Sequence, residues 1–199
     1  MTGIQQRGGI GSTNIQNNYS LPSIDIVRSP SIFMNLVEII ASMDSIEKYS
    51  VQDDFFTYDI EGKIEFNDVI KYRSRIEEFY LYNNMIEKSY QALNEKMPAA
   101  REKALNRING YYHDCIGDLQ IDNKVYLRNI ECRTEKANAL LRIIKENSDE
   151  IIRCVIEHVK RTCINTLNST AVSIEEIEMH AEYIVFHAFV ECKVLEKPL

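Results

Sequence analysis

Cys154 and His158 stand four residues apart, and His180 and His187 seven apart, in stretches that are otherwise mostly apolar. Both spacings put a pair on one face of a helix, and two facing helices could bring the four groups together as a tetrahedral zinc site of thiolates and imidazoles. The same residue types also serve packing, where a buried thiol behaves as a small hydrophobe and a histidine as a satisfied core or rim group. Packing is the reading carried forward, so neither a metal nor a cofactor is expected. A second candidate lies in "DIEGK", where Glu61 and Lys63, with Asp53 or Asp54 upstream, match half of a metal-dependent nuclease motif. That chemistry needs acids on adjacent strands to hold magnesium around the scissile phosphate. The surroundings read instead as a charged helix start, with acids near the N-terminal dipole.

Other chemistry is weaker still. "RGGIGST" has the glycines of a phosphate-cradling loop but lacks the lysine, the preceding strand and the close following helix. Neither G-x-S-x-G nor H-E-x-x-H occurs. Lys71, Arg73 and Arg75, and again Arg101, Lys103 and Arg107, make short basic strips, but Glu77, Glu78 and Glu102 break them into ordinary solvated helix faces. No catalytic residue is expected.

The elements that would position these groups are helical. Residues 1–28 are polar and rich in Gly, Asn and Gln, too poor in apolar surface to offset their ordering entropy, and read as a tail or linker with at most a short strand over Thr13–Tyr19. Ser29 as a cap and Pro30 at the first position open a helix to about Lys48, with Phe33, Leu36, Val37, Ile40 and Met43 at helical spacing. Residues 50–68 read as a connector, with Phe55, Phe56 and Tyr58 tucking it against the core. Val69, Tyr72, Ile76, Phe79, Asn83, Ile86, Tyr90 and Leu93 then follow at alternating spacings of 3 and 4, a heptad seam that predicts one long helix. At ~1.5 Å per residue it would span about 37 Å, the spine of a bundle or half of a helical pair. Asn83 interrupts the seam, either fixing register and partner count or facing a gap in the bundle.

A third helix runs from Pro98 with Leu105, Ile108, Tyr112 and Cys115 on one face. After a connector over 120–132, a pattern through Leu141, Ile144, Ile152, Val155 and Val159 predicts helix, broken near Asn147 and Ser148. Ser173 and Glu176 form a capping box that opens the last helix. There Ile184, Ala188 and Leu195, with Val185, Phe189 and Cys192 beside them, predict burial on much of the circumference, and make His187 and Cys192 packing residues. The expectation is an all-α bundle of five or six helices over residues 29–199.

Composition narrows the function classes. The 199 residues are 45% hydrophobic, enough for one sizeable core. Lys and Arg number 23 against 30 acids, and the net charge of −7 offers no broad attraction for nucleic acid or an anionic membrane. Five cysteines without CxxC spacing argue against a disulfide framework. No window reaches the roughly 18 consecutive apolar residues of a membrane span, because His187, Glu191 and Lys193 interrupt the best one. The expectation is a soluble cytoplasmic protein.

Two segments carry a resemblance. "FFTYDIEGKIEFNDVIKYRSRIEEFYLYNNMIEKSYQAL", Phe55 to Leu93, resembles the start of the C-terminal domain of ABC-three-component systems, the Lamassu-type bacterial antiviral assemblies, and "YIVFHAFVECKVLEKP" resembles its ending. The residues that carry it are Lys63, Glu65 and Asn67 in "KIEFN", Lys71 with Tyr72, and Ala188, Phe189, Cys192 and Lys193 in the final stretch. They agree in order and separation across about three quarters of the chain. The resemblance implies a non-catalytic adaptor that docks or regulates an effector, commonly a nuclease, on an ATPase of the structural-maintenance-of-chromosomes (SMC) type together with a small middle subunit. DNA would be met only through the complex. In the family an effector domain usually precedes the linker; only about twenty residues stand there here, so the chain is expected to be a bare adaptor or a trimmed effector. The seam residues Tyr72, Phe79, Asn83 and Tyr90 are the expected partner interface. The alternatives are a small nuclease using Asp54, Glu61 and Lys63, and a bundle that self-associates through the seam.

Overall fold

The computed structural model describes residues 31–43, 54–166 and 172–198, with backbone only for 54–59 and Leu81. The expected tail over 1–28 and Asp53 lie outside the described residues. So do the side chains of Asp54, Phe55, Phe56 and Tyr58. The first helix is corrected at both ends: it is capped by Ser31 and starts at Ile32, not at Ser29 and Pro30, and it ends at Ser42 with Met43 extended, short of the expected Lys48.

Among the described residues the chain is all helical: α1 (Ile32–Ser42), α2 (Asp54–Phe66), α3 (Arg73–Phe79), a 3-10 turn (Tyr80–Tyr82), α4 (Asn83–Lys96), α5 (Ala100–Asp122), α6 (Lys124–Arg128), α7 (Arg133–Glu146), α8 (Ser148–Asn165) and α9 (Ile174–Val190). The all-α bundle expectation holds, with more and shorter helices than the sequence suggests. The Ser31 hydroxyl caps α1, accepting from the Met34 amide at 3.0 Å, which answers one of the orphan amides of the first turn. Phe33, Met34, Leu36, Val37 and Ile40 are all buried, and α1 packs against α4, α5, α8 and α9.

The expected connector is the helix α2. Its interior Gly62 and its poorly amphipathic sequence weaken the helical signal, but Ile60 and Ile64, four apart, are buried in the core and tertiary packing decides the outcome. The expected single long helix is also corrected. Every apolar seam residue is buried, but the 3-10 turn at Tyr80–Tyr82 divides it. A 3-10 segment turns through about 120° per residue rather than about 100°, so the faces before and after it point differently. Hence α3 packs on α9, while α4 packs mainly on α1 and α5 and also reaches α9. Phe79 meets Tyr183 and Phe186 at ring distances of 5.6 and 5.9 Å, and Tyr82 stacks on Tyr183 at 5.3 Å.

α7 and α8 break at Asn147, as the sequence predicts, and the Asn147 side chain donates to the Ile143 carbonyl. The Ser173/Glu176 capping box opens α9 with both reciprocal hydrogen bonds formed. Nine residues of α9 are buried around most of its circumference, making it the bundle's central staff. A second, smaller apolar cluster of Leu127, Ala139 and Ile143 lies under α6 and α7. No helix among the described residues is long and apolar enough to cross a membrane.

Candidate functional site

The C-terminal ends of α2 and α9 stop in the same way. At α2 the Val69 amide donates to the Ile64 carbonyl and the Asp68 amide to the Glu65 carbonyl, both at 3.1 Å. At α9 the Lys193 amide donates to the Ala188 carbonyl at 2.9 Å and the Cys192 amide to the Phe189 carbonyl at 3.1 Å. These are the paired bonds of a Schellman stop, whose first residue past the cap is left-handed and normally glycine. Here it is Asp68 at φ 53° and Cys192 at φ 55°. Cys192 is therefore exposed, correcting its expected place in the packing face: α9 ends at Val190, and the reversal turns the next side chain outward.

The two stops are clasped to each other. Asn67, fully buried, donates to the carbonyls of Lys63 (2.9 Å) and Glu196 (2.8 Å) and accepts from the Glu196 amide (3.0 Å). Lys63 is also buried; its ammonium donates to the Phe189 carbonyl and lies 4.4 Å from the Phe189 ring centre. A cation at the C-terminal end of α9 meets the negative pole of that helix and the carbonyls it leaves open. α5 supports the returning chain: Asn109 donates to the Lys193 carbonyl (2.9 Å) and the Tyr112 hydroxyl to Glu196 (2.7 Å). Burial and that carboxylate push the Tyr112 phenol above its ordinary value. The loop after α2 is held by α8, where Asp149 accepts from the successive amides of Ile70, Lys71 and Tyr72 at 3.1, 2.9 and 3.2 Å. Of the remaining resemblance residues, Ala188 and Phe189 are buried, Glu65 and Lys71 are exposed, and Glu65 faces Arg73 at 3.9 Å.

One turn back along α9, His187 is fully buried beside a charge network. Its Nε2 lies 2.7 Å from Glu87 Oε1, and Arg101 bonds Glu87 at 2.8 and 3.1 Å and Glu191 at 2.9 Å. The hydrogen bond from His187, then that from Arg101, holds the Glu87 carboxyl down at about 2. His187 is thus more than a packing residue. Its partner Glu87 comes from α4 and the Arg101 behind that carboxylate from α5, an arrangement that no spacing in the sequence foretells. Glu87, His187 and Glu191 lie close enough to share a cation, but the Arg101 guanidinium already bridges both carboxylates and takes that role. The Tyr90 hydroxyl and His187 Nδ1 are buried without a hydrogen-bond partner, and their rings lie 5.2 Å apart. Burial pushes the Tyr90 phenol well up.

A third cluster joins Cys115 of α5 to Cys154 and His158 of α8, their ligand-type atoms all within 4.8 Å of one another. This differs from the four-residue grouping that the spacing allows. Cys154 and His158 do share a face, but His187 belongs to the charge network and His180 is buried elsewhere with its Nδ1 unpartnered. Cys115 stands on the face of α5 that the sequence assigns to packing. The His158 ring stacks on Tyr111 at 4.9 Å, and the Tyr111 hydroxyl pairs with Thr162 at 2.9 Å. Burial, then the neighbouring Cys154, raises the Cys115 thiol above its ordinary value.

The expected interface does not stand. Tyr72, Phe79 and Tyr90 are buried in the core, and Asn83 is half-buried with its Oδ1 enclosed and unpartnered. The seam is occupied by α1, α5 and α9 of the same chain, so it is unavailable to a partner or to a second copy. Nor does the nuclease set form a site: Glu61 is exposed and Lys63 buried, two residues apart on a helix and so on nearly opposite sides. Comparison with family models, curated proteins and solved structures gave no match.

Proposed function

We propose that the chain is a non-catalytic interaction subunit of a Lamassu-type antiviral assembly, docking or regulating an effector on an SMC-like ATPase in the cytoplasm. The observation that supports this reading is the clasp. The two segments on which the resemblance rests lie about 120 residues apart in sequence, yet Lys63 and Asn67 bond the Phe189 and Glu196 backbone directly. A resemblance in two distant places thus concerns one structural unit. The contact with partners then belongs to exposed apolar groups rather than to the seam. Ile121, Val125 and Tyr126, close in sequence at the junction of α5 and α6, are 62%, 68% and 44% exposed, and on this reading they contribute to the docking surface.

The experiment is co-purification of the tagged chain with the products of its neighbouring genes, among which the reading requires an SMC-like ATPase. The reading expects a stable complex that Ile121→Asp with Val125→Asp abolishes while the melting temperature of the free chain stays unchanged. A chain that purifies free of every neighbouring gene product overturns it.

A further inference from the structure

Cys115, Cys154 and His158 form a cluster that neither the charge network nor the clasp uses. Cys154 and His158, one helical turn apart, project from one face of α8, and Cys115 approaches from α5, which packs against it. The His158 ring is oriented by its stack on Tyr111 rather than by a hydrogen bond, and Tyr111 is itself tied to Thr162, whose hydroxyl bonds the His158 carbonyl at 2.8 Å. Arg107 covers the Tyr111 ring at 4.7 Å. The imidazole plane is therefore set by the Tyr111 ring and its ties, and neither ring nitrogen is taken up by a protein hydrogen bond among the described residues.

We propose that Cys115, Cys154 and His158 bind a zinc ion. Two sulfurs and one imidazole suit a borderline-soft cation, and rotation of the three side chains brings their atoms from 4.8 Å apart or less to tetrahedral bonding distances. Binding replaces two thiol protons, released to solvent, with two zinc–sulfur bonds. Three protein ligands leave a fourth position, and with Cys154 and His158 only half-buried the proposed site is of the open kind. The ion would join α5 to α8 midway along both helices, independently of the proposed adaptor role.

Cobalt distinguishes this site from the other acidic and imidazole groups, because only thiolate ligands produce an intense near-ultraviolet charge-transfer absorption with Co2+. Reduced full-length chain, stripped of metal, is titrated with Co2+ and the bound Co2+ displaced with Zn2+. The expected result is one equivalent of tetrahedral, thiolate-bound Co2+ that Zn2+ displaces. Cys154→Ser and His158→Asn should each weaken Zn2+ binding by roughly 100-fold, at least the loss that even outer-shell partners cause, whereas Cys132→Ser and Cys192→Ser leave it unchanged. The first two substitutions are at half-buried positions, so circular dichroism separates lost binding from lost folding, and Cys115→Ser completes the set if it folds. Absence of the charge-transfer band, or a band whose intensity and Co2+ affinity are unchanged by Cys154→Ser, overturns the proposal.

Discussion

The clasp between α2 and α9 and the α6–α7 arm secure their segments by opposite means. In the clasp, Lys63 and Asn67 are buried, their polar atoms are answered by backbone at the ends of two helices, and Ile64, Phe189 and Leu195 join the main core. In the arm, Leu127, Ala139 and Ile143 form a separate cluster, and of the buried residues of α7 only Ile144 joins the main core. Around it Ile121, Val125 and Tyr126 remain exposed, and a polar tie, Arg142 to the Tyr126 hydroxyl at 2.6 Å, lies on the surface. Few buried contacts and exposed backbone bonds make a segment open locally, well below the free energy of global unfolding. The clasp should open only with the whole fold, and the arm by itself.

Asn67→Ala is the largest expected break. It removes three side-chain hydrogen bonds and leaves the half-buried Glu196 amide and carbonyl without their Asn67 partner, while the Lys63 carbonyl keeps the Asn67 amide; the cost is about 3 kcal/mol, read as a fall in the denaturation midpoint with no change in cooperativity. Ile143→Ala, at about 2 kcal/mol, should behave differently: amide exchange quickens in α6 and α7 while the slowest amides of α9 keep nearly their original rates. If exchange quickens uniformly instead, the arm is not a separate unit.

Smaller effects sharpen the same contrast. Cys192→Gly places glycine in the left-handed position where a side chain is strained, and because Cys192 is exposed no packing is lost; thermal denaturation should show a gain of up to about 1 kcal/mol. Glu87→Gln tests the network beside the clasp. The Glu87 carboxyl falls from its ordinary value near 4.5 to about 2 in the folded chain. Its contribution to stability is therefore complete above about pH 4.5 and is lost as the pH falls through about 2. Stability measured between pH 5 and pH 2 should fall less steeply in the glutamine variant than in the parent.

Much of the architecture is legible in local sequence. The apolar face of α5, the break at Asn147, the capping box at Ser173 and the continuous burial of α9 each depend on residues within one or two turns of one another. The misses depend on distant partners. α2 lacks strong amphipathy because Lys63 and Asn67 point inward, and their inward position makes sense only once the end of α9 is beside them. The seam spacing correctly predicts which residues are buried but not what covers them, so it cannot distinguish an exposed coiled-coil stripe from one filled by α1, α5 and α9. Cys154 and His158 are legible as a pair, while Cys115, on another helix at no informative spacing, is not.

By itself the sequence determines that this chain is helical, which side of most helices is apolar, and where several begin and end, because side-chain periodicity and capping act through contacts three or four residues apart. Only the tertiary structure decides that the seam is internal, that a lysine and an asparagine lock two helix stops together, and that two cysteines and a histidine converge. Those outcomes depend on how helices far apart in the chain approach each other, and burial of their combined surfaces, rather than any local preference, sets that approach.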